Sequence, residues 1–309
     1  MIYLVKELSM VAAYQATPLN HSRFKRIAVL TDFSHNSEIA LRYAAAIARL
    51  YRAEIVLAHA YLPLPCAYSA PTPALVFETL DAEHRDLESS LLKETEASFL
   101  QGLKCGFVLM KGVPRDLLKK LKDVDLIVVG TSGETGLAKA ALGSVAETIF
   151  RSSPVPVLTV GPRCAPVGQE EYRITTVLYA TDFSFEAALA LPYALCIAEA
   201  NKAQLVLLHV ADDGDLPFTF DRYMASAEPL DTLLSLVTPG LTLPSPPVRL
   251  VEFGEPGSEI PKAAKALNTS LIVIGAHAEG KFASAVSHIP GLTAYNVAAH
   301  AECPVMTVR

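Results

Sequence analysis

The stretch GTSGETGLAKAALGS at 130–144 is the part of this chain best suited to hold phosphate, and it follows the apolar run DLIVVG. Gly130, Gly133 and Gly143 would let backbone N–H groups approach phosphate oxygens closely, and a helix beginning at Gly143 would add its positive dipole end and free donors. Ser144 could contribute a hydroxyl there and Lys139 a charge. The plainer alternative is that these glycines serve tight turns. A second candidate is Asp32, in TDFS after an earlier apolar run. Its carboxylate could accept hydrogen bonds from a ribose or a base; it reads equally as an N-cap or turn residue ahead of a helix. In an open parallel sheet, ligands sit at the carboxyl ends of strands beside the point where strand order reverses. Asp32 and Gly130 therefore share one crevice if their strands are neighbours.

Other chemistries find little support. Residues 275–281 spell GxxxxGK, but Phe282 stands where a P-loop needs a hydroxyl for magnesium. His59 and His209 end apolar runs and read as satisfied structural histidines, while His277, His288 and His300 fit no zinc spacing. No GxSxG, HExxH or paired-carboxylate pattern occurs, so neither a catalytic residue nor a metal ligand is assigned. The five cysteines are odd in number, dispersed and never CxxC, which points to a reducing cytoplasm rather than a disulfide framework.

The elements that must position these residues occur twice. KRIAVLTDFS at 25–34 is echoed by ITTVLYATDFS at 174–184, with Asp32 and Asp182 in register. At the same offset of 150, Tyr43 pairs with Tyr193, Ile47 with Ile197, and His59 with His209. Further on, KGVPRDLLKKL at 111–121 answers FGEPGSEIPKA at 253–263, DLIVVG answers SLIVIG at 270–275, and SPVPVLTV at 153–160 answers ECPVMTV at 302–308. Within each copy, short apolar runs alternate with helical spacing, the pattern of βαβ units around a parallel sheet. Ile39, Tyr43, Ile47 and Leu50 recur at three and four residues, so this face, tyrosine included, is expected in the core. The segments 62–105 and 212–247, with their prolines, are expected to be loops flanking a helix.

Length and composition agree with this division. A chain of 309 residues accommodates two cores, and 51% hydrophobic against 19% charged residues suits sheets covered on both faces. A formal net charge of -6 argues against nucleic acid as the main partner. No segment supplies the roughly 18 uncharged apolar residues of a membrane helix. The expected layout is an N-terminal extension at 1–22, a first domain at 23–162, a linker at 163–172 and a second domain at 173–309.

TDFS, the GxP turn at 112–114, the pattern G-x2-G-x9-G-S met by Gly130, Gly133, Gly143 and Ser144, and the continuing GSVAE and PVPVLTV resemble the universal stress protein family. The resemblance covers nearly the whole chain after residue 23, once per copy. It implies two tandem Rossmann-like domains of the adenine nucleotide alpha hydrolase-like kind, each an open parallel five-stranded sheet with helices on both faces. It also implies ATP, with or without Mg2+, in the first copy, with Asp32 and Ala60 at the adenosine and the glycines and Ser144 at ribose and phosphates. Glu134 beside the loop, and Ala60 in place of the usual valine, depart from the family pattern. In the second copy Ala278 and His288 replace the second and third glycines, so weak or no ATP binding is expected there. The resemblance further implies that the last strands of the two domains pair within the chain; a homodimer of two such chains is a further expectation.

Three functions follow. One is a nucleotide-responsive regulatory protein of the stress response, acting on an unidentified protein partner. Another is a slow ATPase or nucleotide-dependent transferase, which needs a base and metal ligands that the sequence does not reveal. The third is a nucleotide-free interaction scaffold.

Overall fold

The computed structural model describes residues 24–62, 73–131, 144–167, 172–211, 219–237, 242–276 and 292–309. The N-terminal extension, Gly133, Glu134, Lys139, Gly143, His277, Lys281 and His288 lie outside these residues. The first copy runs β1 (Arg26–Leu30), α1 (His35–Tyr51), β2 (Glu54–Tyr61), α2 (Pro73–Thr95), a 3-10 turn (Ser98–Leu100), β3 (Cys105–Lys111), α3 (Pro114–Lys120), β4 (Leu126–Gly130), α4 (Ser144–Ser152) and β5 (Val157–Val160). The second repeats it as β6 (Thr176–Ala180), α5 (Phe185–Asn201), β7 (Gln204–Ala211), α6 (Phe220–Val237), β8 (Val248–Phe253), α7 (Pro256–Ala266), β9 (Leu271–Gly275), α8 (Leu292–His300) and β10 (Val305–Val308). The helices expected within 62–105 and 212–247 are α2 and α6.

The ten strands of the described residues form one sheet in the order β3-β2-β1-β4-β5-β10-β9-β6-β7-β8. Among the described residues every pairing is parallel except β5 with β10, where Thr159 faces Val305 and Leu158 faces Met306 in antiparallel register. Each copy is therefore an open parallel five-stranded sheet, and the two meet through their last strands as the resemblance implies. Leu158 and Met306 are buried, so this seam closes two apolar edges that would otherwise offer a template for aggregation.

Helices cover both faces. A single core packs α1 and α2 of the first copy together with α5 and α6 of the second, from Ile27 through Leu158 to Met306. On the opposite face α3 and α4 cover the first sheet, and α7 and α8 cover the second. Phe150 of α4 belongs to the second copy's cluster, so that face is also tied across the seam.

Local chemistry sets the helix that follows each first strand. Ser34 caps α1 by accepting from Ser37 N–H, and Ser184 caps α5 by accepting from Ala187 N–H. Both helices end on a left-handed cap residue, Arg52 at φ 54° and Lys202 at φ 51°. The buried face of α1 differs from the expected one at its end. Leu50 is 46% exposed, and burial falls instead on Ala40, Leu41, Tyr43, Ala44, Ala45, Ile47 and Ala48. Leu50 lies in the last turn of the helix, where it lines an open cleft. Tyr43 is packing, as expected: it is buried, its ring meets Tyr172 edge-on at 4.8 Å, and its hydroxyl donates to Ala165 O at 2.9 Å.

Candidate functional site

β1 and β4 are parallel neighbours, with Leu30 opposite Val129. From β1 the chain proceeds to β2 on one side, and from β4 it proceeds to β5 on the other. The strand order therefore reverses between them, which opens a crevice at their carboxyl ends. A cavity of about 190 Å³ occupies this place. Asp32, Ala60 and Gly130 all line it, so three of the expected site residues converge although they lie far apart in sequence. Ser144 is the first residue of α4, and the next two, Val145 and Ala146, line the same cavity. The positive end of the α4 dipole is thus at the crevice, where it favours an anion.

Most of the lining is apolar, from Leu30, Ala58, Leu117 and Val129 as well as Ala60 and Val145, and the polar groups Thr31, Asp32, Ser37 and His59 gather on one side. Such a slot suits a flat, weakly polar ring held by a few directed hydrogen bonds. Its volume is below the roughly 300 Å³ at the small end of ligand pockets, so it has room for only one part of a drug-sized molecule.

Asp32 is exposed, and its Oδ1 accepts from Ser34 N–H at 3.1 Å. Asp182 accepts from Ser184 N–H at 2.9 Å in the same way. The aspartate is thus the turn residue in both copies, and the N-cap is the serine two places on. Burial works to raise the Asp32 carboxyl, but hydrogen bonds from Ser34 and Ser37 outweigh it and hold the group below its ordinary 3.8. Asp32 is an anion at neutral pH, its Oδ1 held in the turn.

Gly130 has a reason to be glycine apart from any ligand. A Cβ there would stand 2.5 Å from Asn36 O, at the start of α1. At Gly275 of the second copy a Cβ would stand 2.4 Å from Ala187 N. The first helix of each copy packs directly on the end of the fourth strand, and only a hydrogen side chain leaves room.

Residues that sequence reasoning left aside also shape the site. His59 lines the cavity, and its Nδ1 is 2.7 Å from Thr31 O. A carbonyl only accepts, so Nδ1 carries the proton and a neutral ring presents Nε2 as an acceptor. Phe33, at φ 64°, lays its ring against His59 with centroids 4.9 Å apart. His209, Thr181 and Phe183 repeat this arrangement at 2.9 Å and 4.7 Å. The Thr31 hydroxyl donates to Glu94 Oε1 at 3.2 Å, lies 3.2 Å from Ser37 Oγ and accepts from Phe33 N–H. Burial raises the Glu94 carboxyl above its ordinary 4.5, against the Thr31 hydrogen bond and with help from the Glu38 and Asp32 charges. Thr31 had a visible signal, because TDFS recurs at 181–184. Glu94 had none, being one of several glutamates along an amphipathic helix.

The second copy differs where the first is apolar. Gly112 N–H bonds Tyr61 O as Gly254 N–H bonds Ala211 O, which aligns Leu117 of the first cavity with Glu259. Glu259 pairs with Lys262 at 2.6 Å. Ala60 aligns with Val210 and Ser37 with Ala187. An acid thus stands in the second copy at the position of a leucine that lines the first cavity. Among the described residues no group of three or more His, Cys, Asp or Glu could hold a metal ion, and no helix is long and apolar enough to cross a membrane.

Comparisons with known proteins agree with this architecture. The model of the universal stress protein family matches residues 23–161 and again 173–309. A universal stress protein of Mycolicibacterium smegmatis is 29% identical over 293 residues, which is 92% of this chain and 96% of the relative. One from Methanocaldococcus jannaschii is 32% identical over 145 residues, covering 44% of this chain and 82% of its own. The crystal structure of a universal stress protein from Archaeoglobus fulgidus superposes with a TM-score of 0.67 at 21% identity, covering 92% of this chain and 98% of that one, a likeness of fold. With two family matches that together span most of its length, and two five-stranded halves joined edge to edge, the chain belongs to the universal stress protein family as a tandem member.

Proposed function

We propose that the first copy binds ATP and that the protein is a nucleotide-responsive regulator of the stress response. The observation that carries this reading is the convergence of Asp32, Ala60, Gly130 and the first turn of α4 on one cavity at the strand-order reversal. The apolar slot fits an adenine ring, the Asp32 carboxylate fits a hydroxyl or amino donor, and the α4 N-terminus fits phosphate. Ser144, Gly133 and Gly143 would complete the phosphate cradle, with or without Mg2+. The second copy, with Glu259 and without the glycine pattern, would bind weakly or not at all. The proposed units are residues 23–162 and 173–309 around a linker at 163–172, in a homodimeric, cytoplasmic protein. The free thiols Cys105, Cys164, Cys196 and Cys303 are consistent with a reducing compartment.

The test is mass spectrometry of nucleotide released from the freshly purified chain, alongside calorimetric titration with ATP. Val145→Trp should obstruct the cavity and Asp32→Ala should remove its anion. ATP recovered from the parent and lost from both variants supports the reading; no nucleotide and no heat of binding from the parent refutes it. A scaffold function has one observation in its favour, since the packing at Gly130 and the Asp32 turn recur at Gly275 and Asp182 and serve folding in both copies. It becomes the leading account if the parent fails to bind.

A further inference from the structure

A second, larger cavity of about 980 Å³ lies where the two copies meet on the α1 and α5 side. It is lined from the first copy by Arg42 and Arg49 of α1, from the connector by Tyr172, and from the second copy by Arg173 and by Asn201 and Lys202 at the end of α5. Four cationic side chains face one concavity, and no carboxylate is among its described lining residues, in a chain whose formal net charge is -6. Gathering like charge in this way is unfavourable unless an anion relieves it.

The four cations are not equally committed. Arg42 is held by Glu38 at 2.6 Å and stacks over the Phe99 ring at 4.2 Å, and the Arg49 guanidinium donates to Phe99 O. Both arginines are thereby oriented on the 3-10 turn, while each guanidinium keeps further N–H donors. Arg173 and Lys202 have no ion pair among the described residues. Lys202 is anchored at its backbone, because its N–H caps α5 onto Ala198 O and Glu199 O. Preset arginine forks suit multivalent oxyanions, above all phosphate, and reduce the ordering needed on binding. A tetrahedral anion at this place would touch both copies at once.

We infer that the cleft between the two copies binds a small phosphate-bearing polyanion through Arg42, Arg49, Arg173 and Lys202. This site is separate from the crevice at Asp32 and does not depend on the nucleotide reading.

Calorimetric titration of the full chain with inorganic tripolyphosphate at low ionic strength tests it. The parent should bind with an affinity that falls as salt is added. Arg173→Glu with Lys202→Glu should weaken binding about tenfold or more, while Val145→Trp, which blocks the other cavity, should leave it unchanged. Circular dichroism checks that the double variant folds; if it does not, Arg173→Gln and Lys202→Gln singly should each weaken binding, and Arg173→Lys should retain most of it. The inference is overturned if the parent does not bind, if the folded charge-reversal or neutral variants bind as the parent does, or if only Val145→Trp loses binding. Glu170 and Glu171 precede Tyr172 in the connector. Binding seen only after Glu170→Gln with Glu171→Gln would assign the cleft to the chain's own carboxylates and equally overturn it.

Discussion

His59 donates from Nδ1 to the carbonyl of Thr31 across 2.7 Å, which ties the end of β2 to the residue that follows β1. The same bond, from His209 to Thr181, closes the second copy. Because Thr31 adjoins Asp32 and His59 adjoins Ala60 in the chain, this contact ties the two sides of the crevice together. His59→Phe preserves the ring packing on Phe33 but leaves Thr31 O without its donor, and should cost about 1 kcal/mol in urea denaturation. His209→Phe should cost a similar amount, while only the first substitution should alter nucleotide affinity.

Gly130→Ala sets a methyl group against a backbone carbonyl at 2.5 Å, and Gly275→Ala sets one against a backbone nitrogen at 2.4 Å. Backbone cannot swing aside as a flexible side chain can, so each substitution should destabilise by about 1–3 kcal/mol. Equal losses in chemical denaturation would assign these glycines to packing; a loss confined to ATP affinity at Gly130 would assign that one to the ligand.

Asp32→Asn separates the two roles of this side chain. The amide oxygen can still accept from Ser34 N–H, so the turn survives, while the anionic oxygen is gone. ATP affinity should fall about tenfold on loss of a charge-assisted hydrogen bond, with little change in melting temperature at neutral pH. The carboxyl is held below 3.8, so the stability it contributes is present above that value and declines as pH falls through the lowered one. Any stability gap between parent and variant should therefore narrow in acid.

Glu94 has the opposite sign. Its carboxyl in the folded chain lies above 4.5 because burial disfavours the anion, and Oε2 has no hydrogen-bond partner among the described residues. Between 4.5 and the raised value the folded chain keeps a proton that the unfolded chain has lost, so stability declines as pH rises through that window. Glu94→Gln still accepts from Thr31 and carries no charge to desolvate. Its melting temperature should exceed the parent's at neutral pH, and the two should converge below about pH 4.5, the unfolded value.

The seam between β5 and β10 should make the chain unfold as one unit. Leu158 is fully buried opposite Met306 and belongs to the core that both copies share. Leu158→Ala should destabilise by about 2–5 kcal/mol. In calorimetry a single transition should move to lower temperature; two separate transitions would show that the halves melt independently.

The repeat, the parallel α/β architecture and the two terminal strands were legible because each rests on a local pattern. Apolar runs at strand length, helical spacing between them and TDFS at both copies are properties of contiguous residues. Asp32 and Gly130 were also legible as candidates, since a carboxylate and a glycine-rich stretch after strands declare themselves by type. What the sequence alone determined was thus the order of elements and the chemical identity of the groups at their ends.

Their meaning was decided by tertiary packing. That Asp32 serves a turn while Ser34 caps the helix depends on which oxygen meets which N–H, and the letters TDFS allow both. Leu50 fits the helical stripe, yet it is 46% exposed and lines the cleft where the two copies meet. Glu94 carries no mark in the sequence and becomes notable only because α2 delivers it to Thr31, 63 residues away. The cleft shared by Arg49, Arg173 and Lys202 exists only because β5 and β10 bring two copies side by side. Periodicity is written along the chain, whereas the partners of a buried acid or an exposed cation are chosen by residues distant in sequence, which meet only when the sheet closes.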